Sequence, residues 1–580
     1  MRALLQRAWA VTWHSPLRWF YVALMLIRVS GLFWGLPATD GWDNDGIAPR
    51  DFLPGLIQTF APGEYYTYPP LHAVLLAVVN LPVLIAGVVT APSFEPMAIR
   101  DHFLQPWLMT PIAVLSRVVA IVFAAVTMHA ICTLSAEIAG GERRQQQHVR
   151  RWTAAVFLCN VVLAYYGQTT NLDGPYVAWT ALAFLALYRA LQVPTLGSLR
   201  PFVVYAAFAV STKDQAYASF ALGVPLVLLT ASTLATAGQK LRVLGRTLLA
   251  GVAVVALVLV VDGALFNPRG FIARVHFLIG PASKQHENYA HSVQGALACI
   301  QDVAEHWNYA YPYMFAPVML LGIGVAVHAH LHARRTLASV LLPLLGAISF
   351  TLAFNVTAGR TDHRFVLPQS VFLTVYLGLG VAWIARHVVG RLVASLALAY
   401  AFWAVIGLEV ALWNDPRYAA EAWMRDNLRP RESVEVYGES VYMPRFRSDL
   451  SLVHVAPGPL TGRNPIVHAT ELQAEIGDAR QRKPEFILLT QVWAARYLMP
   501  PPPSGIVPPT TTRGLPPHFK DIFGDVKTHQ FITSLAEQSG DYVRVASFRD
   551  EPKLWNKLQL HSSASCDCEI WIYQRRQSVK

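Results

Sequence analysis

The sequence predicts an α-helical polytopic membrane protein carrying a C-terminal external α/β domain. Three observations carry that prediction. Of 580 residues, 54% are hydrophobic and only 14% charged, against roughly 25% charged in soluble globular chains. Apolar stretches long enough to span a bilayer, about 20 residues each, recur up to Trp413 with short basic clusters between them. Beyond Trp413 the composition turns polar and short strand-like runs take over. The net charge of +11 does not point to nucleic acid, because the Arg and Lys sit between apolar segments as they do in cytoplasmic loops; no nucleic-acid partner is expected.

In chain order, the apolar segments lie at 17–37, 70–90, 111–138, 152–170, 174–191, 216–235, 243–265, 313–333, 337–355, 365–385 and 392–413, with a shorter one at 201–212. The first follows Arg2, Arg7 and Arg18 and has no small-residue cleavage pattern after it. It reads as a retained helix with the N-terminus cytoplasmic. Clusters at Arg143/Arg144/Arg150/Arg151, Lys240/Arg242/Arg246, Arg334/Arg335 and Arg386/Arg391 mark further inside loops. From residue 141 onward the sides alternate if 201–212 crosses. Before it, three apolar segments precede an inside loop, so one of them does not cross. Segment 70–90 opens with Pro69-Pro70 and contains Asn80 and Pro82; it is expected to be a juxtamembrane or re-entrant helix on the outer side. The sum is about eleven transmembrane helices. The expected protein is multi-pass in the inner (plasma) membrane, with its C-terminal domain extracytoplasmic. The transmembrane domain covers 1–413, with external loops at 38–69 and 266–312, and the α/β domain covers 414–580.

Within the last domain, 415–427 has the pattern of an amphipathic helix. Phe486-Ile-Leu-Leu489, Tyr542-Val-Arg-Val545 and Glu569-Ile-Trp-Ile-Tyr573 read as strands. The Pro- and Thr-rich run 499–517 reads as a loop. The five cysteines carry no framework: Cys566 and Cys568 form a lone C-x-C without zinc-site spacing.

This topology collects the titratable clusters on one face. Outside lie Asp40, Asp43 and Asp45, Tyr165-Tyr-Gly-Gln-Thr-Thr-Asn-Leu-Asp173, Lys213-Asp214, the 266–312 loop and Gly359-Arg-Thr-Asp-His-Arg364. Charges held beside apolar helices are costly, which makes them functional candidates. The bland alternatives are a polar turn for Asp43–Asp45, a helix start for Asp173 ahead of Gly174-Pro175, and a snorkelling helix-end cation for Arg364.

The ordered motifs resemble the GT-C glycosyltransferases, in particular the protein O-mannosyltransferase and aminoarabinose-transferase type. Tyr68-Pro-Pro-Leu71 matches that group's His-Pro-Pro-Leu, with His72 following. Asn171-Leu-Asp-Gly-Pro175 matches its second external Asp motif, Thr212-Lys213 its Thr-Lys at the end of a short helix, and Arg364-Phe-Val-Leu-Pro368 its late Arg-Tyr-x-Leu-Pro. The family usually shows Asp-Glu in the first loop; here the sequence is Asp43-Asn44-Asp45, so both acids stay candidates for the base.

The resemblance implies an inverting hexosyl or pentosyl transferase. It would take a polyprenyl-phosphate-sugar donor within membrane lipid and a protein, lipid or glycan acceptor on the outer side. Asp43 or Asp45 would be the base. Lys213, Arg364 and His363 would stabilise the leaving phosphate, while Tyr68, His72 and Asp173 bind substrate. A divalent metal ion (Mg, Mn or Zn) on Asp43 and Asp173 is an expectation of the same kind. His276, His286 and His291 lack helix-face spacing for zinc. A transporter or lipid flippase is the first rival, favoured by Arg28 within the first apolar segment but not by the one-sided charges or the absence of a repeat. An O-antigen ligase or polymerase is the second; the acidic first loop argues against it.

Overall fold

The computed structural model describes residues 17–43, 45–193, 196–234, 237–280, 288–333, 337–456, 466, 468–498, 526–549 and 569–576. Asn44, Arg2, Arg7, His286, Arg334, Arg335, the 499–517 run, Cys566 and Cys568 lie outside the described residues. The chain divides into two compact units: Met1–Leu32, Phe52–Pro82 and Val114–Ile406 form the first, and Phe33–Asp51, Val83–Ala113 and Gly407–Lys580 the second. The segment set apart by its composition, 414–580, thus makes up most of the second unit, which also takes in the acidic stretch as far as Asp51.

Six described helices are long and apolar enough to cross a membrane: Leu71–Val89, Pro106–Ala139, Gln239–Val261, Tyr313–Leu331, His363–Ile384 and Val388–Asn427. Others are shorter than their apolar runs. Within the described residues the first helix is only Arg18–Arg28, followed by a 3-10 turn Ser30–Phe33; Gly31, Gly35 and Pro37 follow too closely for a helix to continue. The 152–170 run breaks at Cys159–Asn160, where the Asn160 side chain accepts the Leu163 N–H at 2.9 Å and starts a new short helix, Val161–Tyr166. The 337–355 run ends in a π-helical turn, Thr351–Val356.

Helix Leu367–Ile384 is the core of the first unit. It is buried on every side, with Leu367, Val371, Phe372, Val375, Tyr376 and Leu377 all at 0% exposure, as expected of a helix that is apolar all round. Against helix Ala316–Ala333 the backbones meet directly. A Cβ at Gly322 would stand 1.8 Å from the Tyr376 carbonyl oxygen, and one at Gly380 2.1 Å from that of Val318. Small residues permit this approach. Buried hydroxyls and amides tie the helices together: Asn160 donates to Ser370 at 2.9 Å, and Tyr311 pairs with Thr374 at 2.7 Å.

The second unit centres on a six-stranded mixed sheet: β1 Ser433–Tyr437, β2 Ser451–Ala456, β3 Thr470–Gln473, β4 Phe486–Thr490, β5 Tyr542–Phe548 and β6 Ile570–Arg575, in the order β3-β2-β1-β4-β6-β5. β1 to β4 pair in parallel, and β6 runs antiparallel between β4 and β5. The central strand β4 is buried on both faces, which explains its unbroken apolar run. Helix Pro416–Asn427 begins at Asp415, whose side chain accepts the Arg417 N–H. It packs its Ala420 and Met424 on the sheet face formed by Val434, Leu488 and Ile572.

Candidate functional site

In the first unit, Asp173 opens helix Asp173–Leu191 with no exposed surface. The Asn171 side chain accepts its N–H at 3.2 Å, and a carboxylate in a helix's first turn is favoured by the helix dipole. Lys213 lies just past helix Arg200–Val210 in extended conformation, which brings its ammonium inward. Its Nζ donates to both oxygens of Asp173 at 2.8 Å and stands 5.8 Å from the centroid of the Tyr176 ring. Asp173 and Arg364 both act electrostatically on the Tyr166 and Tyr176 hydroxyls. Asp173 and Lys213 therefore form one buried ion pair, whereas Arg364 is only half-buried. Arg28 belongs to the same unit: it is buried at the end of its helix, and a Cβ at Gly167 would come within 3.9 Å of its Nε.

Arg364 sits in the 3-10 turn His363–Val366 that feeds helix Leu367–Ile384. Asp362 caps this turn by accepting the Arg364 N–H at 3.2 Å, and it pairs with His363 Nδ1 at 2.6 Å. Burial acts to raise the Asp362 carboxyl, but His363 and Arg364 more than offset it and hold it below the usual carboxylate range. The guanidiniums of Arg360 and Arg364 lie 4.5 and 4.8 Å from the centroid of buried Phe365. His363 and Arg364 thus act on one carboxylate, with a second guanidinium, Arg360, over the adjacent Phe365 ring, an anion-attracting arrangement.

A second buried charge cluster was not legible in the sequence. Arg274, 1% exposed on helix Pro268–Ile279, pairs with Asp214 and stands 4.0 Å from Asp262. It also donates to the Thr67 carbonyl at 3.3 Å and lies under the Tyr66 ring, whose hydroxyl bonds the Asp262 carbonyl at 2.5 Å. Burial acts to lower the Arg274 guanidinium, yet Asp214 and Asp262 hold it above its usual value. Asn267 adds a second tie, donating to the Gln58 and Glu64 carbonyls and accepting the Gly63 N–H. The segment leading to Tyr68 is thereby fixed to the residue next to Lys213. Tyr68 itself is half-buried. His72 is buried in the first turn of Leu71–Val89, against the Phe123 ring at 5.7 Å.

The acidic loop belongs to the second unit. Asp43 is buried, and Asp45 is half-buried with φ 55°, the left-handed region that Asp tolerates better than most non-glycine residues. The loop is clamped through Trp42. The Arg417 guanidinium stacks 4.0 Å from the Trp42 ring centroid and Arg445 stands 5.4 Å away. Arg417 grips Asp415 bidentately at 2.8 and 2.5 Å, and Trp34 donates to the same carboxylate at 2.9 Å. Arg445 grips Glu421 and donates to the Pro37 carbonyl at 3.2 Å. A nearby signal was the Asp415-Pro-Arg417 helix start; nothing in the residue pattern pointed to Trp42 as its partner.

Among the described residues no group of three or more His, Cys, Asp and Glu stands together as a metal site. Asp173 has both oxygens on an ammonium, which fills the place a divalent cation would take. Among the described residues, those present do not fit the expected metal ion.

No family model and no curated protein matches the chain. Among solved structures it is similar to ArnT from Cupriavidus metallidurans in the apo state, with 13% identity, a TM-score of 0.41, and coverage of 85% of this chain and 95% of that one. The same protein bound to undecaprenyl phosphate aligns at 12% identity and TM-score 0.41, covering 82% and 94%. The oligosaccharyltransferase AglB from Archaeoglobus fulgidus, in complex with an inhibitory peptide and a dolichol-phosphate, aligns at 13% identity and TM-score 0.38, covering 83% and 71%.

Proposed function

We propose that this chain is an integral membrane glycosyltransferase that moves a hexosyl or pentosyl group from a polyprenyl-phosphate-linked donor to a protein, lipid or glycan acceptor on the extracytoplasmic side, with inversion. The observation that carries the reading is the buried ion pair of Asp173 and Lys213 within an apolar helical unit. Ionised groups are rarely kept in such a place without a ligand or reaction to serve. The acceptor hydroxyl or amine attacks the sugar C1 and gives its proton to Asp43 or Asp45. The C1–O bond to phosphate breaks, and the phosphate leaves with the electron pair, stabilised by the fixed cations Arg364 and Lys213. One displacement inverts C1. Asp173 holds Lys213 in place for this. The N-terminus is cytoplasmic and 414–580 extracytoplasmic in this reading, with the protein in the inner membrane.

The test is purified full-length protein in proteoliposomes with a polyprenyl-phosphate sugar, reading product and phosphate release. Transfer is expected; translocation of intact donor without transfer would establish the flippase reading instead. Of the two loop acids we favour Asp43 as base. Asp43→Asn is expected to lower turnover about 10²–10⁴-fold with donor binding kept, and Asp45→Asn to cost less. If both variants turn over like the parent, the loop takes no part in the chemistry.

A further inference from the structure

Near the start of the first helix, three helices of the first unit bring polar groups together on a surface that is otherwise apolar. Helix Arg18–Arg28 packs against helix Arg143–Leu158. Its Tyr21 hydroxyl meets His129 Nδ1, on helix Pro106–Ala139, at 2.8 Å. Whichever of the two donates, a neutral pair keeps one N–H or O–H for a further acceptor. Arg150 reaches the same place from Arg143–Leu158, and its charge acts on Tyr21, on His129 and on Cys132 one turn further along.

The cluster is positive and uncompensated. The charges that act on His129 are those of Arg150 and Arg189. Arg189 is gripped by Glu137 at 2.6 and 3.1 Å, whereas the Arg150 Nε is enclosed by protein and has no hydrogen-bond partner among the described residues. A guanidinium in apolar surroundings is costly until an anion takes its donors.

Depth and surroundings name the source of that anion. Helix Pro106–Ala139 has 34 residues. At about 1.5 Å per residue it exceeds the hydrocarbon core of about 30 Å by about 20 Å, so each end of a centred helix projects by about 10 Å. His129 lies about 15 Å before the end of its helix, and Arg150 about 10 Å after the start of its own, which sets both close to the level of the headgroups. The cluster also opens toward acyl chains. His129 is exposed, and Val122 and Val118, two and three turns back on the same helix face, are 49% and 40% exposed. Val22 and Leu26 are exposed on the first helix. A free anion would satisfy the Arg150 guanidinium alone, whereas a lipid would also cover the valine stripe with its chains. Basic pockets between membrane helices hold lipid headgroups in this way.

We propose that this groove binds the phosphodiester headgroup of one anionic membrane lipid, in the leaflet on the side of the first helix's start, with Arg150 and the Tyr21–His129 pair holding the phosphate. The inference rests on the chain lying in a membrane and on no step of the transfer reaction.

Native mass spectrometry of the full chain released from mixed micelles tests it, with phosphatidylglycerol and phosphatidylcholine as probes and inorganic phosphate as competitor. The parent is expected to retain one phosphatidylglycerol in preference to phosphatidylcholine, and excess inorganic phosphate should not displace it. Arg150→Met should weaken phosphatidylglycerol retention about tenfold or more, the usual effect of losing hydrogen bonds to a charged group, and Tyr21→Phe should weaken it less. Arg144→Met, at an exposed position of the same helix, should leave it unchanged. No preference in the parent, or an Arg144→Met loss equal to that of Arg150→Met, would reduce the cluster to general surface charge and overturn the proposal. Displacement by inorganic phosphate would overturn it in favour of a free-anion site. Should Arg150→Met fail to fold, Arg150→Lys decides. It keeps the charge but not the planar fork, so retention should fall, and unchanged retention would sink the assignment.

Discussion

The two units hold their buried acids in opposite ways. In the first, Asp173 gives both oxygens to one lysine, and each partner is placed by the end of a helix. In the second, Asp43 and Asp45 lie in a loop whose backbone is set by neighbours: Trp42 is stacked under Arg417, and Pro37 is held by Arg445. The first arrangement is an ion pair whose strength is its own. The second depends on the packing of helix Pro416–Asn427 and the sheet behind it. A change in the first should therefore act on charge directly, whereas a change in the second should act through position.

The largest effect is expected at the helix-borne pair. Lys213→Met leaves a carboxylate of zero exposure without its ammonium, and breaking a buried pair typically costs about 3–5 kcal/mol. Adding Asp173→Asn removes the stranded charge and should recover most of that stability in thermal unfolding followed in detergent. Turnover should not return in the double variant, because the cation is still missing. A single variant as stable as the parent would show that the two units do not differ in the way their geometry indicates.

Next comes the clamp of the second unit. Arg417 and Asp415 are both buried, at 0% and 1% side-chain exposure. Arg417→Lys keeps the charge but loses the bidentate grip and the flat stacking surface against Trp42. The expected cost is about 1–3 kcal/mol, visible as earlier protease cleavage within 407–580. Because the same residue sets the acidic loop, turnover should fall with it while donor binding stays near that of the parent. Equal losses of donor binding and turnover would instead mean that the loop's position and the donor site are not separable.

How much of this could be read in the sequence follows from the same contrast. Asp173 and Lys213, which the structure pairs, were conspicuous because each stands where an apolar run ends. So was the helix after Asp415, from its Asp-Pro start and its periodicity. The Arg274–Asp214–Asp262 cluster was not, since Arg274 and Asp214 lie 60 residues apart and sequence alone does not pair them. Nor was the stacking of Arg417 on Trp42. Strand β1 escaped for a related reason. Its Glu435 is buried and reads as a surface residue until Arg482 and the Tyr437 hydroxyl are seen to satisfy it at 2.5 and 2.7 Å. The apolar runs gave the helical segments but overstated several lengths, because Asn160 and the glycines after Arg28 stop helices without ending hydrophobicity.

The smallest effect, and the one most specific to the loop, is a pH dependence at Asp40. Burial pushes its carboxyl up to about 7; Arg50 and the Gly41 N–H act against the rise, and Asp51 and Asp43 add to it. An unfolded Asp titrates near 3.9. Between about pH 4 and 7 the folded protein therefore binds more protons at this position than the unfolded chain, and stability must fall as pH rises through that window. Asn cannot ionise, so Asp40→Asn is free of this loss. The variant and the parent should melt together near pH 4, and the variant should melt progressively higher as pH approaches 7 and stay higher above it. The side chain keeps 20% of its surface accessible, which lets water relieve part of the charge, so the gap should be only about 2–4 °C. Tryptophan fluorescence in detergent across this pH range measures it, Trp42 lying in the same loop. Parallel melting curves at every pH would mean that Asp40 gains no proton on folding. The loop would then hold an ionised acid there, and the contrast between the two units would shrink to one of position alone.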